Sequence, residues 1–277
     1  MRRLAGLVLV ALTAAGCAPG RTVVPVRMQP AALSAPAAAL DLSSHEATVR
    51  SVAGVIVRDL GLPLPDTVTV YVYSSRQVFE QGLVDDGQVS RLRAAELSDF
   101  AVGVGKRRQL LLHHESAVGS AEWVRLVAHE LAHVSQIELA EGEGRAEQWL
   151  AEGMAEWVAF RVLERLRLDT VVRRRLIAVE AVRDHGPVVA RRLDLASLGT
   201  PRGFTVRHLR EGSQPTYQLA YLLADYLIAR AGLDRVVGYF RSLATRADRR
   251  GNFAAAFGQS LDDFEREALA HLAKFAH

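Results

Sequence analysis

The chain has 277 residues, 49% of them hydrophobic and 23% charged, enough apolar material for a full globular core. Its 34 basic residues exceed its 31 acidic ones by three, a balance that implies no nucleic-acid partner. Arg2 and Arg3 belong to a segment read below as removable, which would bring the net charge from +3 to about +1.

The apolar run Leu4 to Gly16 follows those two arginines. It is too short for a membrane span of roughly 20 residues and suits the core of an export signal. The run ends in Ala14-Ala15-Gly16-Cys17, which resembles a bacterial lipobox, although Ala14 stands where leucine is preferred. That resemblance implies lipidation of Cys17 and anchoring to a membrane, with simple secretion as the alternative. Cys17 is the only cysteine, so a lipid bond also accounts for an otherwise reactive exported thiol. Residues 1–17 are thus read as signal peptide, and residues 18–40, rich in alanine and proline, as an extended tether.

Residues 41–277 are expected to form one domain, with a strand-containing lobe over 41–160 and a helical lobe over 161–277. A helix is predicted from about Ser43 to Leu60, where Val49, Val52, Ile56 and Leu60 recur at helical spacing ahead of Gly61. The β-branched and aromatic run Thr67 to Ser74 predicts a strand, and Ser75 to Leu83 a further helix followed by a loop. Ala101 to His113 reads as one or two strands broken around Lys106 to Arg108. The adjacent His113 and His114 would point to opposite faces of such a strand, which argues against a second metal site.

The next helix is predicted to begin near Ser120, a good N-cap, with Glu122 in its first turn. It carries His129-Glu130-Leu131-Ala132-His133. At about 100° per residue, Trp123, Val127, Leu131 and Val134 share one apolar stripe, while His129 and His133 share a separate face. Two imidazoles four residues apart can therefore serve one metal ion, with Glu130 beside it as a base. Catalytic zinc takes three protein ligands and keeps a position for water, so a third donor is required. Glu152, after eighteen intervening residues, is the natural candidate, with Glu143, Glu147 and Glu156 as rivals. The polar segment Glu138 to Glu147, with Gly142 and Gly144, suits a chain turning back into a second helix over Gln148 to Leu166. Gly153 inside that helix costs roughly 1 kcal/mol relative to alanine, which close helix approach would explain.

The pattern His129, Glu130, His133 and then Glu152 in Trp149-Leu150-Ala151-Glu152-Gly153 resembles the gluzincin branch of the zincin metallopeptidases, particularly aminopeptidase-N-like and peptidase-MA-like domains. The likeness spans about Ser120 to Phe160, and the run Phe253 to Leu272 is similar to the C-terminal helices of peptidase-MA-like proteins. The resemblance implies an α+β zincin-like fold with a small N-terminal sheet and a mostly helical C-terminal lobe. It implies Zn2+ held by His129, His133 and Glu152, with Glu130 activating water and shuttling its proton. Glu156, four residues after Glu152, is expected to orient His129, as an acidic residue does in thermolysin-like relatives. Relatives also supply a tyrosine or histidine to the oxyanion, for which Tyr217 is the first candidate and Tyr221 and His208 the alternatives. No Gly-x-Met-Glu-Asn segment lies upstream, so specificity for a free amino terminus is not implied.

The function expected is zinc-dependent hydrolysis of peptides or proteins in the bacterial envelope, on the periplasmic or exterior side. Its alternative is a non-catalytic, gluzincin-like lipoprotein that binds or assembles envelope proteins. Beyond Arg161 the chain reads as almost wholly helical, with Tyr217 to Arg230 the clearest helix and Gly232 its stop.

Overall fold

A computed structural model describes residues 20–28, 41–99, 101–113, 117–185 and 192–275. The leader, Cys17, most of the segment read as a tether, and His114 lie outside these residues.

The fold is α+β, with one four-stranded sheet and a mostly helical remainder. Strands β1 (Arg21–Arg27), β2 (Thr67–Tyr73), β3 (Gly103–Lys106) and β4 (Gln109–His113) are arranged in the order β1-β2-β4-β3. β2 and β4 run parallel, and the outer pairs are antiparallel. The apolar run in β4 reflects a sheet covered on both faces. Leu110 and Leu112 enter the main core with Val68 and Val70, whereas Leu111 packs on the other face with Tyr73, Phe79 and Leu83.

Between the strands lie α1 (His45–Gly54), whose chain continues as a π-helical turn over Val55–Asp59, α2 (Arg76–Asp85) and α3 (Arg91–Ser98). Ser44 and Ser75 cap α1 and α2 with their hydroxyls. Two local expectations are corrected. Within the segment read as a tether, residues 21–27 form β1. Its β-branched Thr22, Val23, Val24 and Val26 pair along β2, and Pro25 is accommodated because β1 is an edge strand. The expected loop after α2 contains α3, which buries only Ala94 and Ser98 and so carries little amphipathic pattern.

The helical part comprises α4 (Ala121–Ala140), α5 (Gln148–Arg165), α6 (Val171–Arg183), the single turn α7 (Leu195–Leu198), α8 (Pro201–Glu211), α9 (Ser213–Ala231), α10 (Leu233–Thr245), α11 (Arg249–Phe257) and α12 (Leu261–Leu272). Ser120 caps α4 through the Trp123 N–H, and α4 runs three residues into the segment expected to be a turn. Glu141 then ends it in the left-handed conformation. The extensive helix contacts are α5 with α9 and α4 with α5, so α5 lies in the middle of the helical layer. Gly153 makes the first contact possible: a β-carbon there would collide with the Ala220 carbonyl oxygen of α9. The close approach anticipated for Gly153 is therefore to α9. β3 packs on α4 and brings the sheet edge to the same place.

Candidate metal centre

Helices α4 and α5 bring His129, His133 and Glu152 together in the interior. The two histidine Nε2 atoms are 3.2 Å apart, and each lies 3.3 Å from Glu152 Oε2. Donors bound tetrahedrally at about 2.0–2.1 Å from one ion are separated by about 3.3 Å. The three atoms thus form one face of a tetrahedron of the size zinc requires, and the donor chemistry of two imidazoles and a carboxylate suits it.

Each of these side chains has an orienting partner. His129 Nδ1 lies 3.2 Å from Glu156 Oε1, which also accepts from the Arg125 guanidinium. His133 Nδ1 lies 3.0 Å from Gln136 Oε1, and the Gln136 amide donates to the Ala151 carbonyl at 2.8 Å. Gln148, one turn before Glu152, donates to Glu152 Oε1 at 2.8 Å. The Arg125 side is extended by Glu122, which pairs with both Arg125 and Arg174.

Burial disfavours every charge here, and the partners decide the outcome. Burial alone would lift the Glu152 and Glu156 carboxyls. The two imidazoles hold Glu152 well below the usual carboxylate range, and Arg125 with His129 brings Glu156 down to about 2. Burial likewise works against protonated His129, but Glu152, Glu156 and Glu130 push it up to about 10 in the metal-free protein. Glu130 goes the other way: its burial, reinforced by Glu152, raises its pKa despite the two imidazoles. The Gly105 N–H of β3 is its hydrogen-bond donor.

Glu130 fits beneath β3 because Gly103 has no side chain; a β-carbon there would come within 2.6 Å of the Glu130 carboxylate. Two cavities, of about 240 Å³ and about 420 Å³, both reach His129, Glu130, Gly103 and Tyr217. His133 and Glu152 line the first of these and not the second. Tyr217 is held against the site by Phe204, with ring centroids 5.4 Å apart, and its own ring is 6.1 Å from that of His129. Burial, together with Glu152 and Glu130, raises its phenol well above the ordinary value, so it stays protonated.

The alternatives fall elsewhere. Tyr221 is one turn further along α9 and fully buried, packed on Phe160 with a centroid distance of 4.7 Å. His208 is near Tyr217 but lines neither cleft. Glu143 is exposed near Lys106, and Glu147 is buried beside Arg249, so neither joins the donor cluster. The sequence reading did not single out Gln136 or Gln148. Helical spacing, three after His133 and four before Glu152, was the available signal, but it is shared by many surface glutamines.

No family model matches this chain, and neither does any curated protein or solved structure.

Proposed function

We propose that the protein is a zinc-dependent peptidase with a zincin-like arrangement of its sheet and helices. The observation that carries this reading is the donor triangle of His129, His133 and Glu152 at 3.2–3.3 Å, set beside the buried Glu130 carboxylate, which lines two cavities. Zinc bound there would act as a Lewis acid, polarising a carbonyl and lowering the pKa of water to about 7.

The remaining chemistry belongs to the chain. Glu130, with its raised affinity for a proton, accepts one from the attacking water and delivers it to the leaving amine. Tyr217, kept protonated by burial and neighbouring carboxylates, donates a hydrogen bond to the oxyanion as the carbonyl becomes tetrahedral. Among the described strands β3 pairs with β4 alone, so the main-chain groups of its outer edge, apart from the Gly105 N–H that serves Glu130, are left to pair with an extended peptide.

Export and a lipid anchor on Cys17 belong to the same proposal and would put the enzyme in the cell envelope, acting on peptides or proteins there. Among the described residues no helix is long and apolar enough to cross a membrane.

The test is zinc content followed by peptide hydrolysis. Purified protein should hold about one zinc per chain and lose it on Glu152→Ala. Glu130→Gln should retain zinc and abolish hydrolysis of an unstructured protein. Zinc-free protein after supplementation, or unchanged cleavage by Glu130→Gln, would overturn the reading. A Glu130→Gln variant that kept an envelope-binding function would support a non-catalytic role instead.

A further inference from the structure

The proposed zinc site leaves open how each ligand is made to present the correct atom. The geometry assigns that task to two neutral side chains: we propose that Gln136 and Gln148 are positioning residues, Gln136 fixing the ring nitrogen that His133 presents and Gln148 fixing the oxygen that Glu152 presents. This rests on the zinc reading above.

The argument for Gln136 follows from what each atom can do. A backbone carbonyl only accepts, so the Gln136 amide nitrogen must face Ala151 O, 2.8 Å away. That turns Gln136 Oε1 towards His133 Nδ1 at 3.0 Å. The amide oxygen also only accepts, so Nδ1 carries the proton and the neutral ring keeps its lone pair on Nε2. Nε2 is the His133 atom on the donor triangle. Gln136 is buried, which limits competition from water, and an amide holds this orientation without titrating. Ala151 is covalently next to Glu152, so the same bond also sets the ligand-bearing turn of α5 against α4.

Gln148 acts by the same logic on the carboxylate. Its amide N–H donates to Glu152 Oε1, which occupies that oxygen. Oε2, the atom 3.3 Å from both imidazoles, is left facing the centre. Glu156 performs the corresponding task for His129 with a charge. The two glutamines add no charge to a cluster that already contains Glu130, Glu152 and Glu156.

These roles predict opposite responses to one chemical change. Gln136→Glu retains an acceptor for the Nδ1 proton, now charged, and replaces the donor to Ala151 with a second acceptor. Gln148→Glu replaces the donor with an acceptor and leaves Glu152 Oε1 without its hydrogen bond. Zinc dissociation constants would be measured by chelator competition on the full chain, with thermal melting to check folding. Gln136→Leu and Gln148→Leu should each weaken zinc by about 10- to 100-fold, the usual cost of losing a group that orients a ligand. Gln136→Glu should recover most of the affinity, whereas Gln148→Glu should not. A packing role alone would make glutamate equivalent at the two positions, and that result overturns the inference. So do two leucine variants that bind zinc as tightly as the unaltered chain. If the unaltered chain binds no zinc in the same assay, the zinc reading itself falls and this inference with it.

Discussion

Gly153 of α5 lies directly against the Ala220 carbonyl of α9, leaving no space for a side chain between them. Glu152 is the residue before Gly153, and Tyr217 is three residues before Ala220. One glycine thus sets the distance between the Glu152 carboxylate and the Tyr217 phenol. Gly153→Ala should force the helices apart, costing about 1–3 kcal/mol as overpacking does. Denaturant unfolding would measure that loss, and turnover should fall further than zinc content as Tyr217 withdraws.

Tyr217 and Tyr221 are separated by one helical turn but meet different surroundings. Tyr217→Phe should leave zinc binding intact and lower kcat by about 100- to 1,000-fold, the scale of a lost oxyanion donor. The Tyr221 hydroxyl is buried with no hydrogen-bond partner among the described residues. Tyr221→Phe should therefore leave kcat unchanged and hold or raise the melting temperature, since it removes an unsatisfied polar group. Steady-state kinetics on the pair of variants would separate the two roles, and equal losses would remove the assignment of Tyr217.

Glu156 joins His129 to Arg125 in the interior. Glu156→Ala should weaken zinc by about 10- to 100-fold through loss of the ring's orienting partner. It should also destabilise the fold, because Arg125 would lose its buried counter-charge while keeping the more exposed Glu122. Chelator competition and thermal melting would read the two effects separately.

The metal-free protein should have a stability maximum set by the site. Glu152 and Glu156 have folded pKa values below their ordinary 4.5, so their contribution is complete above that pH and is lost as pH falls towards about 2. His129 has a folded pKa raised from 6.5 to about 10, so its contribution is complete below 6.5 and is lost as pH rises through about 10. Urea unfolding in chelator should therefore show these contributions together between pH 4.5 and 6.5. Zinc must displace the His129 proton, so its affinity should increase with pH through this range and on towards about 10.

The helix-borne motif was legible because its constraint is local. Residues four apart share a helix face whatever surrounds them, so His129 and His133 could be paired from the sequence. Ser120 capped its helix as its position suggested, for the same local reason. β1 and α3 were not legible: β1 exists because β2 offers it a partner, and α3 buries too few residues to leave a stripe.

At the site, the sequence supplied the donor types and their order along the chain. Which glutamate joins the histidines, which tyrosine reaches the cleft, and which glutamines hold the ligands depended on how α4, α5 and α9 pack. Those contacts join residues distant in the chain, and their geometry is set by side-chain volume, such as the missing β-carbon of Gly153, rather than by any local period. The sequence determined a helix able to hold a metal; tertiary packing decided what surrounds it.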